Sequence, residues 1–265
     1  MKVIIFGSTG MLGNYMKTYF AKFFDVICID RKEFDIETCN WKKLDEMLSV
    51  YSSEDIMINC AGAIPQQKCS IRKFIVLNTL FPQKANEISK KYKIQFIHIT
   101  TDCVFSGKDG DYKESSLHDA EDIYGVTKSL GECDSCCTIR TSIIGEELRN
   151  KNSLLEWVKT HKSRYINGYE NVFWNGITCL QLSVIIKHVI TTNSYWKGVR
   201  HILSPSAVSK YELCQYINEV YELEMDVQKT NVFSKIMTLS TNFTTDYDIP
   251  DLKEQIRLQR SFFMI

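Results

Sequence analysis

Little in this sequence interrupts the chain. Four prolines and 12 glycines are spread over 265 residues, so no Pro/Gly-rich linker or low-complexity tract divides it. Neither charge sign dominates, with Lys+Arg and Asp+Glu at 32 each, which leaves no basic field to attract nucleic acid or an anionic membrane. The one basic run, Lys90-Lys91-Tyr92-Lys93, reads as the solvated end of a helix. No apolar stretch approaches the roughly 20 residues of a membrane span. Met1 to Phe6 run into glycine too soon to form a signal-peptide core. Partners of either kind are not expected, and the expected location is the cytoplasm.

Cysteine is plentiful, at ten residues, scattered singly apart from Cys133, Cys136 and Cys137. A C-x-x-C pair opens some zinc sites, but no second pair follows at finger spacing. No metal is expected, and a cytosolic chain of this length needs no disulfides.

At 44% hydrophobic residues, the chain can bury a sizeable core. Lys2 to Phe6 read as a buried strand. A helical pattern follows through Phe24, with Leu12, Tyr15, Met16, Tyr19, Phe20 and Phe23 at three- and four-residue spacings. Asp25 to Asp30, Ile56 to Ala61, Gln95 to Ile99 and Thr138 to Thr141 read as further strands, alternating with helix-like segments. That alternation predicts the α/β class: a Rossmann-like, doubly wound parallel sheet with right-handed crossovers. Beyond about residue 145 the pattern becomes mixed. Residues 1–145 are expected to form one lobe and 146–265 a smaller mixed α/β lobe, part of it packing back on the first.

Between the first strand and helix stands GSTGMLG, with glycines at 7, 10 and 13. Gly7 permits a tight turn, Gly10 a close approach of backbone to a pyrophosphate, and Gly13 close helix–strand packing. Phosphates would sit on helix N–H groups near Met11 and Leu12. Such glycines alone also suit a purely structural turn. Here Asp30 ends the next strand, where an acid accepts bonds from ribose hydroxyls. Arg31 follows and suits a 2′-phosphate instead, so the choice between NAD and NADP stays open, with NADPH slightly favoured. Tyr124-Gly125-Val126-Thr127-Lys128 places a phenol and an ammonium four residues apart on one helix face. A nearby lysine is expected to lower the tyrosine pKa and make the phenol a useful proton donor.

With its G-x-x-G-x-x-G and Tyr-x-x-x-Lys motifs, the chain resembles the extended short-chain dehydrogenase/reductase family. Within it the likeness is to the dTDP-4-dehydrorhamnose reductase branch, through Thr100-Thr101-Asp102-Cys103-Val104-Phe105-Ser106-Gly107 and the Tyr124–Glu132 and Ile139–Ser142 stretches. The resemblance implies an NAD(P)H-dependent enzyme that reduces the C4 ketone of a nucleotide-linked 4-keto-6-deoxyhexose in deoxysugar biosynthesis. The first lobe would hold the cofactor and the second mainly the sugar nucleotide; a homodimer is allowed. The implied catalytic residues are Thr101, Tyr124 and Lys128. The implied cofactor contacts are Gly7, Thr9, Gly10, Met11, Leu12, Gly13, Asp30, Arg31, Asp35, Ile36, Ala61, Gly62, Ala63, Asn78, Thr100, Tyr124 and Lys128. The implied sugar contacts are Thr101, Asp102, Cys103, Val104, Phe105, Ile143 and Trp174, although core packing suits Trp174 slightly better.

Two positions depart from the branch: Cys103 replaces a usual tyrosine, and Ile143 a usual aromatic. Both suggest a different sugar, with a UDP-linked 2-acetamido-2,6-dideoxy-4-hexulose as candidate and an N-acetylated L-rhamnosamine-type product. Cys103 also raises a bifunctional 3,5-epimerase/4-reductase reading, because related epimerase-reductases exchange protons through a cysteine there. Those enzymes need a partner acid, and His161 is the only histidine near the right region. A non-catalytic NADP-binding regulatory subunit is the remaining alternative; chains of that kind often lose the tyrosine or lysine kept here.

Overall fold

Val3 and Ile5 side with one face of a strand and Ile4 and Phe6 with the other, and all four are buried. A strand apolar on both faces belongs in the middle of a covered sheet. The computed structural model describes residues 1–149 and 151–263. Its first part runs β1 (Lys2–Phe6), α1 (Met11–Phe20), β2 (Asp25–Ile29), α2 (Trp41–Leu48), β3 (Ile56–Asn59), α3 (Ile71–Ile75), α4 (Phe81–Tyr92), β4 (Gln95–Thr101), α5 (Ile123–Leu130) and β5 (Cys137–Thr141). Then follow β6 (Ile143–Ile144), α6 (Leu154–Lys159), β7 (Tyr165–Tyr169), β8 (Val172–Trp174), β9 (Ile177–Thr178), α7 (Cys179–Thr192) and β10 (Gly198–His201). The chain closes with β11 (Val208–Ser209), α8 (Lys210–Tyr221), β12 (Asp226–Thr230), β13 (Lys235–Met237) and α9 (Leu252–Phe262).

Six parallel strands form the central sheet in the order β10-β5-β4-β3-β1-β2. One face packs on α1 and α7 through Leu12, Tyr15, Met16, Leu182, Ile185 and Ile186. The other packs on α2 and α4 through Leu44, Leu48, Phe81, Ala85 and Ile88. Each such Leu, Ile, Met or Phe side chain contributes roughly 1.5–3 kcal/mol by leaving water. The smaller sheets β11-β8-β13, β12-β7 and β6-β9 come from the second part of the chain. Their core gathers Leu155, Val158, Ile166, Trp174, Leu213 and Ile217. The strand order reverses between β1 and β3, so the loops leaving those strands part and leave a crevice.

The sequence pattern misplaces some ends. α1 stops at Phe20, four residues before the apolar pattern does, while β4 runs on to include both Thr100 and Thr101. Side-chain periodicity marks a face, not the residue at which backbone hydrogen bonding stops.

Candidate active site

Parallel pairing of Phe6 with Asn59 on β3 brings the glycine loop against Ala61. Gly7 has φ +77°, and a Cβ there would stand 2.6 Å from the Ala61 nitrogen; one on Gly13 would collide with the Gly7 carbonyl. Both positions therefore need glycine. No side chain caps the N-terminus of α1, and its first turn carries no acid. Its N–H groups are left for an anion.

The facing loop is tied at both ends. Asn59 Oδ1 accepts the Ala61 N–H at 2.9 Å, and Asn59 Nδ2 donates to His98 Nδ1 at 3.2 Å. Asn78 accepts from the Ala63 N–H at 2.8 Å and donates to the Ala63 carbonyl and the Thr127 hydroxyl. Asn78 lies in a π-helical turn between α3 and α4 and is fully buried. Asn78 does not itself line the cavity described below; both polar atoms of its amide brace the loop that does.

At the end of β4, the Thr101 hydroxyl accepts the Cys103 N–H at 3.2 Å and donates to Asp102 Oδ1 at 3.1 Å. Asp102 is buried, and loss of solvent raises its carboxyl pKa. From α5, Lys128 Nζ reaches under Tyr124 to donate to the Ile99 carbonyl at 2.8 Å. Burial lowers the Lys128 pKa to about 8. Burial also raises the Tyr124 pKa, with Cys103 adding to it and the Thr101 hydroxyl pulling the other way. The expected lysine-lowered phenol is thus reversed: desolvation wins, and Tyr124 is held as the protonated, donating form. Cys103 is likewise pushed up, first by burial and then by the Asp102 carboxylate, so its thiol is not poised as a base.

These groups line a cavity of about 450 Å³ that also takes in Thr9, Gly10, Met11, Leu12, Ala61, Gly62, Ala63, Thr100 and Ile143. The Thr100 hydroxyl is buried without a partner. A buried hydroxyl at a cavity wall, with no bond of its own, suits a ligand. The uncapped helix N-terminus, the glycine turn and this hydroxyl together fit a dinucleotide lying from α1 to Lys128.

Other expected contacts are not gathered there. Val104 and Phe105 do not line the cavity; they pack with Tyr112 and Leu239, and Phe105 stacks on Tyr112 with ring centroids 4.3 Å apart. Trp174 is buried in the second core, with Lys210 Nζ 4.5 Å from its ring centre. Asp30, Arg31, Asp35 and Ile36 stand outside the cavity, beyond β2; the Asp35 side chain caps its own turn by accepting the Glu37 N–H. His161 packs at a tilt against Trp157, does not line the cavity, and its Nδ1 pairs with the Trp157 carbonyl. The sequence reading missed Cys60, Gln66, Ser142, Glu147, Arg149 and Ser153, which also line the cavity. The last three come from a segment with no periodic pattern, so no local signal marked them. Among the described residues, no cluster of three or more His, Cys, Asp or Glu side chains is arranged to hold a metal.

A doubly wound sheet with this glycine turn and a Tyr-x-x-x-Lys helix facing the end of β4 defines a dinucleotide-binding α/β protein of the extended short-chain dehydrogenase/reductase type. The sequence profile of one family, RmlD substrate binding domain, matches residues 1–237, and the chain belongs to that family. It is 24% identical over 229 residues to a dTDP-4-dehydrorhamnose reductase of Aggregatibacter actinomycetemcomitans, covering 80% of this chain and 76% of the relative. It is 26% identical over 240 residues to a spore coat polysaccharide biosynthesis protein of Bacillus subtilis (strain 168), covering 84% and 80%. In fold it is similar to the dTDP-4-dehydrorhamnose reductase of Bacillus anthracis in complex with NADP, with TM-score 0.82, 20% identity and 98% of each chain covered. No helix among the described residues is long and apolar enough to cross a membrane.

Proposed function

We propose that this protein is an NAD(P)H-dependent oxidoreductase with dTDP-4-dehydrorhamnose reductase-like function in sugar biosynthesis, reducing the C4 ketone of a nucleotide-linked 4-keto-6-deoxyhexose. The observation that carries this reading is the convergence of Thr101, Tyr124 and Lys128 on one cavity with the glycine turn. The cofactor, when bound, supplies hydride to C4. The phenol of Tyr124, kept protonated by burial, gives its proton to the oxygen as charge develops there. The Thr101 hydroxyl donates to the same oxygen, turning away from Asp102 to do so. Lys128, bonded to the Ile99 carbonyl, offsets the negative charge left on the phenol, and its remaining donors would bond the nicotinamide ribose.

The finer reading concerns the sugar. Cys103 and Ile143 both line the cavity, and each is smaller than the aromatic residue that reductases of this branch carry. The room they leave suits a 2-acetamido group, so a UDP-linked 2-acetamido-2,6-dideoxy-4-hexulose is the proposed substrate. The raised Cys103 pKa and the absence of His161 from the cavity lining favour a dedicated reductase over an epimerase-reductase. The test is a panel of UDP- and dTDP-linked 4-keto sugars with NADPH, followed at the nicotinamide absorbance band. Oxidation is expected with at least one sugar and fastest with the UDP-linked acetamido sugar. Faster turnover of dTDP-4-dehydrorhamnose would refute the finer reading, and no oxidation with any would refute the coarser one.

A further inference from the structure

Beyond β2 the chain makes two consecutive turns rich in charge. The first, after Ile29, holds Asp30, whose N–H is accepted by Glu33 and whose carboxylate accepts the Lys32 N–H. Pairing of β2 with β1 sets Ile29 beside Phe6, and therefore Asp30 beside the glycine turn. The second is the short helical turn Ile36–Thr38, started by the Asp35 side chain. At its centre a single oxygen of Glu37, Oε1, lies 2.9 Å from Lys73 Nζ and 3.4 Å from Arg31 Nη2. Arg72 donates to the backbone carbonyl of the same residue at 3.2 Å. Two cations, from β2's exit and from α3, thus converge on one carboxylate, and a third holds its backbone. One carboxylate oxygen shared by two cations occupies the place that an oxygen of a phosphate monoester between them would take.

Resting on the oxidoreductase reading above, we propose that Glu37 sets the cofactor preference by competing with the 2′-phosphate of NADPH for Arg31 and Lys73. With NADH, Glu37 keeps both cations neutralised, and Asp30 is free to meet the ribose hydroxyls. With NADPH, the phosphate takes Arg31 and Lys73 from Glu37, which swings outward into solvent. Arg31 is the mobile partner, its side chain 69% exposed, whereas Lys73 is 20% exposed and acts as the fixed one. Glu37 thereby moderates discrimination and lets the site use either dinucleotide. Lys73, remote in sequence from the glycine motif, becomes a specificity-determining residue.

The experiment measures dissociation constants for NADPH and NADH by nicotinamide fluorescence, and competition by 2′,5′-ADP and 5′-AMP, on the full chain. Glu37→Gln keeps the shape and removes the competing charge, so the NADPH-to-NADH affinity ratio should rise about tenfold. The ratio of 2′,5′-ADP to 5′-AMP should rise with it. Lys73→Gln and Arg31→Ala should each lower both ratios. NADH bound by the same variant serves as its own control for folding. A ratio that stays level or falls in Glu37→Gln, with both dinucleotides still bound, overturns the competition and makes Glu37 a support for the two cations. Failure of the unmodified protein to bind either dinucleotide removes the oxidoreductase reading, and this inference with it.

Discussion

Lys128 Nζ donates to the carbonyl of Ile99 at 2.8 Å, and through that bond the helix bearing Tyr124 is fastened to the strand that ends in Thr101. The bond spends one of the lysine's three donors on backbone and leaves two for ligand and phenol. Burial lowers the pKa of this lysine, and the negative charge of Glu132 pulls the other way, so it falls only to about 8.

A pH dependence follows. The protonated lysine is the form that offsets charge at the phenol, and it predominates below pH 8. The value of kcat/KM, which reports the free enzyme, should be level at neutral pH and fall as pH rises through about 8. Lys128→Met should abolish that limb and weaken both NAD(P)H binding and rate. An unchanged alkaline limb in Lys128→Met would assign it to another group.

Cys103 yields a prediction about what the enzyme leaves alone. Its thiol is held protonated by burial and by Asp102, so it should not exchange hydrogens alpha to the ketone. In deuterated water without NAD(P)H, no enzyme-dependent label should enter C3 or C5, and Cys103→Ser should reduce its substrate at a near-normal rate. Label that enters and is lost in Cys103→Ser would establish epimerisation.

A buried network governs stability. The guanidinium of Arg140, 1% exposed, takes Glu132 in two bonds of 2.9 and 2.6 Å. It also donates to His201 Nε2 at 2.8 Å and to His118 Nε2 at 2.7 Å. Both rings must be neutral to accept from a cation. Burial, then Arg140, brings His201 from an ordinary 6.5 to about 4. Between those pH values the unfolded chain binds the extra proton, so stability is intact above pH 6.5 and declines as pH falls toward 4. The loss at the acid end is at most about 3 kcal/mol. Urea unfolding across this range should show the decline, and His201→Gln should flatten it. Glu132→Gln, which strips Arg140 of its counter-charge, should cost about 3–5 kcal/mol at pH 7.

How much of this was legible before the structure depended on distance along the chain. The glycine turn and Tyr124-x-x-x-Lys128 are local patterns with fixed geometry, and they could be read directly. Arg140, by contrast, finds partners from residues 118, 132 and 201, and nothing in its own neighbourhood signals them. Asn78 was noticed, but its bonds to Ala63 and Thr127 join residues 15 and 49 positions away, and no local pattern signals them. Val104 and Phe105 were placed in the pocket by their motif, whereas they pack with Tyr112 and with Leu239, a partner far along the chain that no local pattern signals.

The most direct test is Tyr124→Phe, which removes one hydroxyl and leaves the ring. The account predicts that this variant binds NADPH as tightly as the unmodified protein while its turnover with a reducible nucleotide 4-keto sugar falls by about 10²–10⁴-fold. Turnover within a few-fold of the unmodified protein would contradict it, because the proton would then come from a group other than Tyr124.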